Sequence, residues 1–140
     1  SRRSTMVVTM ERRETFAAAH RLHSKALSDT ENAAIYGKCN HVNGHGHNYV
    51  WRVVLRGEVD ERTGMLYDLA ALKREMAAVL AIVDHRNLDM DVPYFENVVS
   101  TSENVVKFLF IALKERLSRP EILYQCILHE TEKNVFTYSE

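Results

Sequence analysis

Apolar residues recur at every second position early in the chain and at every third or fourth position in its second half. Residues 6–22 read as a long strand. Val7, Val8 and Thr9 are β-branched, and Phe16, Ala18, His20 and Leu22 share one face by the two-residue period. A polar stretch, SKALSDTENAAIYGK, then loops out with room for a short helix. A second strand covers residues 46–59. His47, Tyr49, Trp51, Val53 and Leu55 lie on one face, and Asn48, Val50, Arg52, Val54 and Arg56 on the other. DERTGML follows as a turn.

Asp68 has the position of an N-cap, with Leu69, Leu72, Met76, Val79, Leu80 and Val83 behind it at helical spacing. DHRNLDMDVPYF reads as a loop broken by Pro93. Ser100 to Glu103 has capping-box spacing and opens a second helix with a stripe of Val106, Leu109, Phe110, Leu113 and Leu117. Pro120 ends that segment. Residues 122–129 and 134–138 close the chain as two strands joined near Glu132-Lys133. The order predicts an α+β domain: a four-stranded antiparallel sheet with two helices on one face. Two helices cover only one side of such a sheet. Its other, partly apolar side is expected to meet another subunit.

The 140 residues suit a single domain, 1–140, with the polar start SRRST (residues 1–5) expected to fray. A formal net charge of −1 gives no global field for nucleic acid or anionic membrane. No apolar run approaches the ~18–20 residues that span a bilayer. Cys39 and Cys126 stand in unlike contexts, which suggests free thiols and a reducing, cytoplasmic setting.

Chemistry concentrates in GKCNHVNGHGHNY, residues 37–49. His45 and His47, at i and i+2 on a strand, point two imidazoles to one face, as ligands of one metal require. An H-x-H pair alone is too common to mark a metal. Gly44 and Gly46 beside it let backbone approach a bound group, and His20 is centred on the apolar face of the preceding strand. Together they favour a three-imidazole zinc site with a fourth position open for catalysis. Cys39 could be a fourth, structural ligand or a nearby base; GKCNHVNG is too polar for a core cysteine, whereas ILYQCILHE places Cys126 in the core. His85 could simply answer a helix dipole. Glu130 falls on the face shared by Ile122, Tyr124, Cys126 and Leu128, where a carboxylate needs a cationic or multi-donor partner. Glu103 could serve only as a capping residue.

AAHRLHS, GKCNHVNGHGHNY, VDHRNLDMDVPYF, VSTSENV and the terminal HET, in this order, resemble the 6-pyruvoyl-tetrahydropterin synthase family over nearly the whole chain. The resemblance implies the tunnelling fold (T-fold), with trimers closed around a β-barrel and stacked in pairs as a homohexamer. It implies a lyase converting 7,8-dihydroneopterin triphosphate to 6-pyruvoyl-tetrahydropterin and triphosphate in tetrahydrobiopterin biosynthesis. Carried over, His20, His45 and His47 match zinc ligands, and Cys39 matches the proton acceptor. Asp84 and His85 match the relay that activates it across a subunit boundary. Glu103 matches a pterin anchor, with Thr101 and Ser102 beside it, and Glu130 matches an acidic relay or anchor. Magnesium could accompany the triphosphate, and Arg21 and Lys38 could touch it.

The chain departs from the family at His41-Val42, where Asn-Pro is usual, and at Ser102, where a second Thr is usual. His41 could add a weak metal contact. Two alternatives stand beside this reading. A 6-carboxy-tetrahydropterin synthase shares the fold but usually has three residues between its cysteine and the H-G-H; here five, residues 40–44, separate Cys39 from His45. A non-enzymatic zinc or pterin-binding module would use Cys39 as a structural ligand.

Overall fold

The computed structural model describes residues 3–140, with side chains from Met6 onward. Two long strands, β1 (Arg3–His20) and β2 (His45–Asp60), form an antiparallel ladder that ends with His20 opposite His45. Residues 1 and 2 of the stretch expected to fray lie outside the described residues, and Arg3 begins β1. Between the strands, α1 (Asp29–Tyr36) is started by a capping box from Ser28 and Glu31, and Gly37–Asn40 forms a 3-10 turn.

Helix α2 (Leu69–Val83) begins as the pattern predicts, with the Asp68 side chain accepting from the Ala70 N–H. Leu72, Met76, Val79 and Val83 are buried, while Leu69 is half exposed at the first turn. The next segment is more ordered than a loop. Arg86–Asn87 (β3) pairs in parallel with Ala18 and Ala19, and Leu88–Asp91 (α3) is started by the Asn87 side chain, which accepts from the Asp89 and Met90 N–H groups. Elements of two and four residues are too short to carry a hydrophobic period.

Helix α4 (Ser102–Lys114) is capped one residue later than the spacing suggests. Thr101, not Ser100, accepts from the Asn104 N–H. The Ser100 hydroxyl instead donates to Asp89 at 2.5 Å. Strand β4 (Leu123–His129) pairs with β2, and β5 (Val135–Tyr138) with β4. A register shift where Val54–Leu55 meets β4 puts Leu123 rather than Tyr124 inside. Tyr124 therefore faces solvent, and the shared face proposed for it holds only from Cys126 to Leu128.

The sheet has five strands, ordered β3-β1-β2-β4-β5, against the four expected; β3 is the addition and the one parallel member. Its inner face, with Phe16, Tyr49, Trp51, Val53, Leu55, Cys126 and Leu128 buried, packs with α2 and α4 into one core. Each large apolar side chain there contributes ~1.5–3 kcal/mol. The opposite face carries a charged ladder in which Arg52 grips Glu11 with two hydrogen bonds, at 2.8 and 2.9 Å. Among the described residues, β1 has a strand on its second edge only at Ala18 and Ala19.

Candidate metal centre

The core-facing period of β1 and β2 runs past the last apolar residues into imidazoles. His20 follows Phe16 and Ala18 on the inner face, and His45 and His47 precede Tyr49 and Trp51. The ring centroids lie 4.6 Å apart for His20–His45, 5.3 Å for His20–His47 and 5.0 Å for His45–His47. One nitrogen from each lies within 4.8 Å of the others.

His20 is 1% exposed, and its Nδ1 stands 2.6 Å from the Ser100 carbonyl oxygen. A carbonyl can only accept, so Nδ1 carries the proton and Nε2 keeps its lone pair. That Nε2 is buried without a hydrogen-bond partner. Burial holds the His20 pKa below the usual imidazole value, against the pull of the Ser100 carbonyl, and burial likewise lowers that of His47 despite Glu130. Neutral imidazoles whose tautomer is set by a backbone acceptor are what a metal ion needs. The residues fit a metal.

Gly44 turns the chain into β2 at φ +72°, and a Cβ there would lie 2.8 Å from the His20 carbonyl oxygen. Cys39 sits half-buried in the 3-10 turn and is not among the three converging donors. Its turn is tied to the residues after His20. Leu22 N–H donates to the Cys39 carbonyl at 2.8 Å, Arg21 Nε to the Asn40 carbonyl at 2.8 Å, and Asn40 Nδ2 to the Leu22 carbonyl at 2.8 Å. His41 is exposed, and its Nδ1 accepts from the Asn43 N–H.

Glu130 continues the inner face beyond β4 and places Oε1 3.1 Å from His47 Nε2. Glu103 is exposed in the first turn of α4, Thr101 is its cap, and Ser102 is buried with an unpartnered hydroxyl. Asp84 accepts from the Ala17 N–H at 3.0 Å and lies 3.0 Å from His85 Nδ1. His85 itself donates its N–H to the Ala17 carbonyl and adopts φ +60°, with a side chain 84% exposed. It lines a shallow cleft of about 440 Å³ with Ala17, Ala19, Gly46 and Asn48, and His47 of the triad lines the same cleft.

Three features of the site escape the pattern. Ser100 acts through its carbonyl, which no residue type announces. Asp89 accepts from the Arg21 N–H at 2.6 Å and from the Ser100 hydroxyl, bracing the segment against β1. The Tyr49 hydroxyl, read as core, is buried with no partner.

An α+β chain with three imidazoles converging at the head of its longest strand pair has the outline of a small-molecule enzyme with a site that could hold a metal ion. The family model for 6-pyruvoyl tetrahydropterin synthase matches residues 9–140, and the chain belongs to that family. A human 6-pyruvoyl tetrahydrobiopterin synthase is 49% identical over 130 residues, which are 92% of this chain and 89% of the relative. A Drosophila melanogaster protein of the same name is 47% identical over 133 residues, covering 94% and 79%. A solved Caenorhabditis elegans 6-pyruvoyl tetrahydropterin synthase superposes with a TM-score of 0.96 at 58% identity, over 100% of this chain and 99% of that one. The Plasmodium vivax enzyme, at 18% identity and TM-score 0.69 over 96% and 98%, shares the fold.

Proposed function

We propose that this chain is a zinc-dependent carbon–oxygen lyase that converts 7,8-dihydroneopterin triphosphate to 6-pyruvoyl-tetrahydropterin and triphosphate. The observation that carries the reading is the partnerless His20 Nε2, buried between two further imidazoles in a chain of this family. His20, His45 and His47 would hold the zinc ion, which would supply Lewis acidity toward the hydroxyls of the substrate's side chain. Cys39 removes a proton from the adjacent carbon, and its tethered turn keeps the thiol near the end of β1.

Of the two glutamates, Glu130 stands beside the triad and is the better placed to grip the aminopyrimidinone edge, where a carboxylate accepts two N–H bonds. Thr101, Ser102 and Glu103, at the start of α4, are assigned to substrate binding on the family resemblance. Asp84 orients His85, and the exposed His85 serves the Cys39 of a neighbouring subunit. The single open edge of β1 and the polar face of the sheet suit a barrel-forming trimer paired into a homohexamer. Among the described residues no helix is long and apolar enough to cross a membrane. The two free thiols, Cys39 and Cys126, suit a reducing, cytoplasmic setting.

Mass spectrometry of the products formed from dihydroneopterin triphosphate tests the reading. A 6-pyruvoyl product is expected; a 6-carboxy product would move the chain to the sister activity. Cys39→Ala separates both from a binding module: zinc content should stay near one per chain while turnover falls by ~10²-fold or more. Loss of zinc together with unfolding would mark Cys39 as a structural ligand.

A further inference from the structure

Tyr49 is 0% exposed, yet its hydroxyl oxygen has no hydrogen-bond partner. A buried hydroxyl left unpaired is destabilising, so its retention calls for a partner that arrives later. The ring cannot swing to find one. Phe16 stacks on it at 4.8 Å and 14°, and His47 meets it edge-on at 5.5 Å. Tyr49 is two positions along β2 from His47 on the same face, and Glu130 reaches His47 from the neighbouring strand. The Ser102 hydroxyl, on the first residue of α4 and two positions after the Ser100 whose carbonyl meets His20, is another buried polar atom without a partner. Unpartnered polar groups thus run along the inner face of β2 from the triad through Tyr49 to Trp51 Nε1, and the Tyr49 hydroxyl belongs to the side chain next along that face from His47.

We infer that the Tyr49 hydroxyl is a positioning group for the ligand: it donates a hydrogen bond to a hydroxyl oxygen of the side chain carried by a bound pterin. The inference rests on the pterin reading above. A donor fixed by packing on two sides loses little freedom on binding, so the bond favours one placement of that side chain over others.

The test uses zinc-loaded wild type and Tyr49→Phe, which removes one oxygen and keeps the stacking. Calorimetric titration compares biopterin, whose side chain bears hydroxyls, with 6-methylpterin, whose side chain has none. Biopterin affinity is expected to fall about ten-fold or more in Tyr49→Phe, with 6-methylpterin affinity, zinc content and melting temperature unchanged. Equal biopterin affinity in the two proteins overturns the inference. So does an equal loss for both pterins, which would put the bond on the ring. A clear drop in melting temperature with unchanged binding also overturns it, because the hydroxyl then has an internal partner. Wild type that binds neither pterin fails differently: it removes the pterin reading itself, and this inference with it.

Discussion

His20 Nδ1 lies 2.6 Å from the carbonyl oxygen of Ser100, eighty positions away in the chain, and this one bond fixes which nitrogen faces the other two imidazoles. The backbone, not the serine hydroxyl, does the fixing. His20→Ala should therefore weaken zinc binding by at least ~10²-fold and leave the Ser100 carbonyl unpaired. Ser100→Ala keeps the carbonyl and loses only the bond to Asp89, so its zinc affinity should fall by less than ~10-fold. Competition with a chromophoric chelator reads both. Equal losses would assign the role to the hydroxyl.

Gly44→Ala should destabilise the chain by roughly 1–3 kcal/mol, because the backbone is left-handed there and the new Cβ meets the His20 carbonyl. Gly64→Ala is the control. It shares a positive φ, but its Cβ would enter open space, so only the conformational cost of ~1 kcal/mol applies. Denaturant melts rank the two, and zinc content should drop only for Gly44→Ala. Indistinguishable variants would remove the close approach as a constraint.

The hydrogen bonds from Arg52 lower the Glu11 pKa from 4.5 to about 2 against the opposing effect of burial, with further help from Arg13. A carboxylate depressed on folding contributes stability that is full above its unfolded pKa and fades as the pH falls through its folded one. The window is therefore pH 4.5 down to about 2. Since the pair faces solvent, its worth at pH 7 is only ~0.5–1 kcal/mol. Urea melts of wild type and Glu11→Gln, at one protein concentration, should differ by that amount at neutral pH and converge near pH 2. A gap that persists in acid would mean the glutamate acts through packing.

The long elements were legible because their side chains repeat. The stripe of α2 and the alternation of β2 each predict their buried residues, and the same alternation predicts that three histidines converge. Where the signal failed, the cause was local. Ser100 and Thr101 are both competent caps, and only the pull of Asp89 on Ser100 decides between them. The register shift at Val54–Leu55 depends on how β4 meets its neighbour, which alternation along one strand cannot encode. The three converging histidines sit on strands and follow a period. Asp84 and His85 sit at a helix exit, so resemblance rather than spacing drew attention to them.

His85 lines a cleft whose lining does not include Cys39, and its side chain is largely exposed. A relay to Cys39 should then run between subunits. Cys39→Ala and His85→Ala proteins, each inert alone, should recover part of wild-type turnover when dissociated together and reassembled. Mixed assemblies that form and stay inactive would confine the relay to one chain.

The long stretch of β1 with a strand on one side only also governs how the chain behaves in the test tube. Its row of backbone donors and acceptors bonds any extended segment, whether the proper neighbour or an unrelated strand. Dilution is then hazardous rather than gentle. In the proposed assembly, losing the neighbour would trade an ordered oligomer for a subunit with an adhesive border, so activity lost at low concentration should return poorly on reconcentration, and a purification that keeps the protein concentrated throughout should give the better yield.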